Sequence, residues 1–304
     1  MTRPMRFPRL LTFLALLLAT AAPAANGEPI TTESLSCSGI AKQSGLIRCK
    51  GPADLEIEIS GPDGERLRTV QTDEAGAVLI GLRQDEPSPL RLKPLASDIP
   101  PISLTIAPRQ DDFRLINGFN CDKVDARTDA QKQHAAESWV KKQAAFASFN
   151  PGPQLRDGFV EPVDGPASSP FGPTRKYIGT GANGEACEKI SVHEGYDFAV
   201  PTGTPVYAPA GGRVVLADPD LYYEGGTVFL DHGGGLVSVF LHLSEVTVEE
   251  GHVISQGEPL GKTGNTGRTT GPHLHWAVKW RNSASDSRDG DFYIDPALLL
   301  NWGR

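Results

Sequence analysis

Apolar positions in the first third of the chain recur at every second residue. Leu55, Ile57 and Ile59 alternate with Glu56 and Glu58, the period of a strand with one buried face. Short apolar runs at Ala77–Leu82, Leu90–Leu95, Ile102–Ile106 and Phe113–Ile116 follow, and Gly61-Pro62-Asp63-Gly64 is a strong turn signal between them. This spacing predicts a small antiparallel β-sandwich over residues 25–120. The pattern changes at Thr128. Thr128 and Gln131 have the spacing of a capping box, and alanines with Trp139, Val140 and Phe146 supply an apolar stripe, so a helix is predicted from Thr128 to Phe149. Asn150-Pro151-Gly152-Pro153 ends it, and residues 121–158 read as helix and linker. From 159 to 304 short strands and Gly/Pro turns return, so the fold expected is mainly β throughout.

The N-terminus has a different character. Arg3, Arg6 and Arg9 precede an apolar run from Leu10 to Ala22, and Ala22-Pro23-Ala24 offers a cleavage site. The run is too short to span a bilayer, so residues 1–24 are expected to be a signal peptide, leaving an exported chain with no membrane span. Net charge is -8, and losing three signal arginines gives -8 − 3 = -11. That balance argues against nucleic acid as a partner, which needs Lys and Arg for its phosphates. Export also decides how Cys37, Cys49, Cys121 and Cys187 are read. None forms a CxxC pair, and an oxidising compartment favours disulfides. Of three possible pairings, Cys37–Cys49 closes a short local loop and Cys121–Cys187 ties the front of the chain to its later part; these are the expected pair.

Six of the seven histidines lie between His193 and His275. In His193-Glu194-Gly195-Tyr196-Asp197, positions i and i+4 of an extended segment share a side, so His193 and Asp197 can share a metal. The helical HExxH motif is not present, because position 197 is Asp and Gly195 argues against a helix. In His273-Leu274-His275-Trp276 strand alternation puts both imidazoles on one face and Leu274 in the core. Alone, such a pair is a weak metal signal. His242, in Phe240-Leu241-His242-Leu243, reads by itself as a core histidine. His134 reads as a helical surface or packing residue, His232 as a turn residue and His252 as exposed. Gly257 to Thr263 imitates a phosphate-binding loop, but is one residue short between its glycines and no helix follows.

Taken together, residues from about 167 to 297 resemble the lysostaphin/LytM-type zinc endopeptidase family. The likeness rests on Ser169-Pro170-Phe171-Gly172, on His193–Asp197 continued by Pro201 to Gly212, on His242-Leu243-Ser244, and on Thr270 to Trp276. It implies a LytM-like antiparallel β catalytic domain of the duplicated hybrid motif type over residues 159–304, following the sandwich and helix. It implies further that His193, Asp197 and His275 bind Zn2+, with His242 and His273 the flanking catalytic histidines. Phe240 stands where many relatives have Tyr, removing a hydroxyl expected near the site. Two histidines and one carboxylate leave a zinc position open, the arrangement of a catalytic site. The family's substrate class is the peptide cross-link of bacterial peptidoglycan. With the export signal, the resemblance implies a periplasmic enzyme acting on stem peptides at D-Ala–diaminopimelate bonds. The alternative is a LytM-type regulator without activity of its own that activates another wall hydrolase; no regulating partner is legible. The helix and linker ahead of residue 159 are candidates to occlude the groove.

Overall fold

The computed structural model describes residues 34–121, 126–150, 158–284, 290–300 and 302. The expected signal peptide and most of the Asn150–Pro153 stop lie outside the described residues. No helix among the described residues is long and apolar enough to cross a membrane.

The front of the chain is two antiparallel sheets. One has the order β1-β2-β5, from Ser36–Gly39, Leu46–Lys50 and Ala77–Gly81; the other β4-β3-β6-β7, from Arg66–Gln71, Glu56–Ser60, Leu90–Pro94 and Ile102–Leu104. Ile57 and Ile59 are fully buried, as their alternation predicts, and join Leu46, Ile80 and Leu92 in one core. Cys37 and Cys49 face each other across β1 and β2 and are disulfide-bonded.

β8 (Phe113–Asn120) leaves this arrangement. It runs parallel to β10 (Thr174–Thr180), which pairs in turn with β11 (Ala186–Val192), so this sheet draws strands from both sides of residue 121. A strand's own alternation does not encode its neighbour. The second disulfide, Cys121–Cys187, fastens the end of β8 to β11.

α1 spans Asp129–Ala147, and the Thr128/Gln131 capping box is formed. Its expected apolar stripe is only partly buried, however. Trp139 and Val140 are 59% and 66% exposed, whereas Ser138, Ala145 and Phe146 are buried. Polar contacts do much of the fastening. Lys141 pairs with Asp218 at 2.6 Å, Lys142 pairs with Glu224, and Ser138 Oγ accepts from the Tyr222 amide. The Arg281 guanidinium donates to the Phe146 and Ser148 carbonyls while holding Asp231 at 2.9 Å. His134, as expected, is only a packing residue, bonded to the Asp220 carbonyl and edge-on to Tyr222.

The central sheet has eight strands. Its path is β18-β14-β15-β16-β20-β12-β9, with β21 also on β20. The strands are β9 (Ala167–Ser169), β12 (Tyr196–Phe198), β14 (Gly212–Leu221), β15 (Gly225–Gly233), β16 (Leu236–Leu243), β18 (Val253–Ile254), β20 (Leu274–Trp280) and β21 (Phe292–Ile294). β13 (Pro205–Tyr207), β19 (Pro259–Lys262) and β17 (Glu245–Val246) form a small sheet beside it, and α2 (Pro296–Leu299) closes the chain. β20 sorts its residues by alternation. Leu274, Trp276, Val278 and Trp280 enter the large core shared with the front sheets; Ala277 faces the other way, towards α1. The Trp280 indole donates to the Leu79 carbonyl at 3.0 Å, and a β-carbon at Gly81 would lie 2.6 Å from its ring, so the front strands dock directly on β20.

His232 corrects the sequence reading. It lies within β15, 1% exposed, and not in a turn. Its Nδ1–H donates to the Gly211 carbonyl, and Nε2 accepts from Ser238, whose oxygen accepts from the Trp276 indole. Burial pushes its pKa down to about 4. The unfolded chain takes up this proton near pH 6.5 and the folded one does not until about 4, so the stabilisation is whole above pH 6.5 and lost as pH falls between the two. Denaturant titrations in chelating buffer should show His232 removing about 2 kcal/mol between pH 7 and pH 5. His232→Asn should have a shallower pH dependence; an unchanged slope would contradict this account.

Candidate metal centre

β20 builds the site by register. Asp197 of β12 is the direct cross-strand partner of His275, and Leu241 of β16 is its partner on the other side. His193 follows the end of β11, where its amide donates to the Pro173 carbonyl and its carbonyl accepts from Gly172. Three ligand atoms converge as a result. His193 Nε2 lies 3.0 Å from Asp197 Oδ1, His275 Nδ1 lies 2.9 Å from the same oxygen, and the two nitrogens are 3.3 Å apart. A tetrahedral zinc with bonds of about 2.0–2.1 Å would separate its ligands by about 3.3 Å. Among the described residues this is the one cluster of His, Cys, Asp or Glu whose atoms meet closely enough to hold a metal.

The hydrogen bonds show why a cation fits. His193 Nδ1 faces the Pro170 carbonyl at 2.7 Å, so it carries the proton and leaves Nε2 as a lone pair. That lone pair points at a carboxylate oxygen, an acceptor facing an acceptor unless a positive centre sits between them. Burial would raise the Asp197 carboxyl, but the adjacent His193 and His275 outweigh it and hold the group well below the carboxylate range. Burial also pushes the His275 pKa down, keeping its ring neutral. Gly195 is a spacing requirement: a β-carbon there would fall 2.3 Å from Cε1 and Nε2 of His275.

Sequence reasoning missed the support behind Asp197. Arg175 of β10 holds the outer oxygen, Oδ2, at 3.3 Å and donates to Ser169 Oγ at 2.7 Å. Arg114, its register partner on β8, reaches the same hydroxyl at 3.2 Å. No motif marks either arginine, although the Ser169–Gly172 segment was a visible signal. It contributes the Ser169 hydroxyl and the Pro170 carbonyl.

His242 reaches the site through a break in β16. The β15–β16 register shifts between Val228 and Gly226, and His242 has φ +65°, uncommon for a non-glycine residue. The irregularity puts Leu241 and His242 together on the cleft wall, while Phe240 and Leu243 both enter the core. Phe240 therefore corrects the sequence reading: it is fully buried away from the cleft, and a tyrosine there would not present its hydroxyl to the site. Two carbonyls hold His242. Its amide donates to Glu224 and its Nδ1–H to Thr266, at 2.9 Å each. Burial, with His275 and His273 nearby, lowers its pKa to about 3, so the ring is neutral at physiological pH. His273 Nδ1 bonds to the Gly271 carbonyl at 2.8 Å, and its Nε2 lies 3.9 Å from Asp197 Oδ1. All five histidine and aspartate candidates thus line one cleft of about 770 Å3. His252 stays outside it, its side chain 53% exposed, as its sequence context suggests.

Residues 191–287 match the model of Peptidase family M23. The chain is similar to the peptidoglycan DD-endopeptidase ShyA of Vibrio cholerae, 41% identical over 111 residues that make up 36% of this chain and 24% of ShyA. ShyB of the same organism is 34% identical over 134 residues, 44% of this chain and 30% of ShyB. The aligned part therefore spans about a quarter to a third of these relatives' length. A Pseudomonas aeruginosa crystal structure bearing the name peptidase M23 aligns with TM-score 0.53 and 28% identity, covering 86% of this chain and 94% of that one.

Two substitutions test the centre by zinc titration against a chromophoric chelator. Arg175→Met, which frees the outer oxygen of Asp197, should weaken zinc binding by about 10–100-fold. Gly195→Ala, by displacing the His275 ring, should weaken it at least as much. Wild-type affinity in either folded variant would show that these contacts do not shape the metal site.

Proposed function

We propose that this protein is an exported zinc endopeptidase that hydrolyses peptide cross-links of bacterial peptidoglycan, with the D-Ala–diaminopimelate bond as its target. The observation that carries the proposal is the meeting of His193 Nε2, Asp197 Oδ1 and His275 Nδ1 within 3.3 Å, in a cleft that also holds His242 and His273. The substrate class is supported by the names of ShyA and ShyB, and the periplasm by the signal-like residues 1–24. A resident zinc ion would polarise the scissile carbonyl and acidify the attacking water.

The chain's own residues do the rest. His193, Asp197 and His275 hold the ion, and Arg175 keeps the carboxylate turned towards it. His242, with Nδ1 engaged by Thr266, has Nε2 left to take a proton from the attacking water. His273, fixed by Gly271 through Nδ1, presents Nε2 beside the centre, where it can stabilise the tetrahedral oxyanion or pass a proton to the leaving amine. The regulator reading is not favoured, because all three candidate ligands and both flanking histidines are present and assembled.

Zinc-loaded mature protein incubated with purified cross-linked peptidoglycan should convert cross-linked muropeptide dimers to monomers, seen by chromatography and mass spectrometry. Asp197→Ala should leave the dimers intact, and His242→Ala should slow their loss by about 10²–10⁴-fold while retaining zinc. Undigested dimers with the zinc-loaded wild type would contradict the proposal.

A further inference from the structure

α1 stands beside the cleft, its Lys142 paired with the lining residue Glu224. His275, Ala277 and Lys279 follow one another on a single face of β20 by strand alternation. His275 belongs to the metal centre, and Ala277 lines the cleft with Val239 of β16 and Tyr293 of β21. Those same three residues belong to the apolar cluster that contains Phe146 of α1. One step further along, the Lys279 ammonium lies 4.3 Å from the centre of the Phe146 ring and 5.3 Å from that of Tyr293. The floor that starts at the metal centre thus runs under the helix at Lys279. Phe146 is anchored there against Phe229, with ring centres 4.8 Å apart.

Fastenings on both flanks make this a fixed wall. Lys142 pairs with Glu224, which lines the cleft and whose carbonyl accepts the His242 amide. Beyond Phe146, the buried Arg281–Asp231 pair caps the helix carbonyls, and the side-chain amide of Asn150 reaches Asp231 at 3.1 Å. At the other end, the Ala126 amide donates to the Tyr223 hydroxyl at 3.3 Å, and Tyr223 lines the cleft too.

We infer that α1 is the end wall of the substrate groove and sets the length of peptide accepted on one side of the scissile bond. Two strand residues separate His275 from Ala277, about 7 Å, and Ala277 is already buried in the cluster of Phe146, so a substrate lying along β20 has room for about two extended residues before meeting it. The class of substrate admitted is a peptide that ends or branches within about two residues on that side, and a long continuous polypeptide is excluded. This rests on the peptidase reading above and adds a length limit to it.

The test uses the full mature protein with zinc and two synthetic ladders. Both are built on a D-Ala–diaminopimelate core, one lengthened glycine by glycine on the amino side of the scissile bond and the other on the carboxyl side. Cleavage of one ladder should fall by about tenfold or more once the extension passes about two residues, while the other ladder is cut evenly. Phe146→Ala, which lowers the wall, and Lys142→Gln, which releases its latch while leaving Phe146 in the core, should each raise the ratio of long to short cleavage in the restricted ladder. Circular dichroism checks that each variant is folded. Even cutting of both ladders by wild type, or an unchanged ratio in the folded variants, would overturn the inference while leaving the peptidase reading intact. Failure to cut even the unextended core would overturn both.

Discussion

The structure depends on a buried carboxylate placed directly across a strand pair from a histidine. Asp197 and His275 are register partners on β12 and β20, and His193 is brought to the same oxygen. An oxygen acceptor and lone-pair nitrogens within about 3 Å of one another form a cluster short of positive charge. A cation at the centre of such a cluster would satisfy it, and the surroundings favour that arrangement. Pro170 fixes the His193 tautomer, Arg175 engages only the outer oxygen of Asp197, and Gly195 leaves room for the His275 ring.

Much of the remaining architecture serves to hold that arrangement still. β20 carries site residues on one face and, on the other, the tryptophans that bind the front strands. β8 comes from the front of the chain yet adds Arg114 beside Arg175, so the outer support of the centre draws on residues more than fifty positions from its ligands. α1 packs on the face that holds the metal centre. It stands beside the cleft, with Lys142 paired to the lining residue Glu224.

Part of this was legible beforehand. Two-residue periodicity found the front strands, the capping box found the start of α1, and the resemblance carried by the His193–Asp197 and His273–His275 segments implied the metal-binding candidates. What escaped was long-range or conformational. Arg175 and Arg114 act through sheet pairing that no local pattern encodes. His242 faces the cleft because of a positive φ and a register shift, which strict alternation would not predict. Phe240 was misplaced for the same reason. His232 looked like a turn residue because glycines follow it, whereas β15 continues through it to Gly233. Trp139 and Val140 were assigned to a buried stripe although polar contacts carry much of the helix's attachment.

The central claim is that His193, Asp197 and His275 enclose a zinc ion. The most direct measurement is anomalous X-ray scattering at the zinc edge, on crystals of protein purified without added chelator and then supplied with zinc. The account predicts a single strong peak about 2 Å from His193 Nε2, Asp197 Oδ1 and His275 Nδ1. A zinc peak held by other residues, or none within reach of these three atoms, would contradict it.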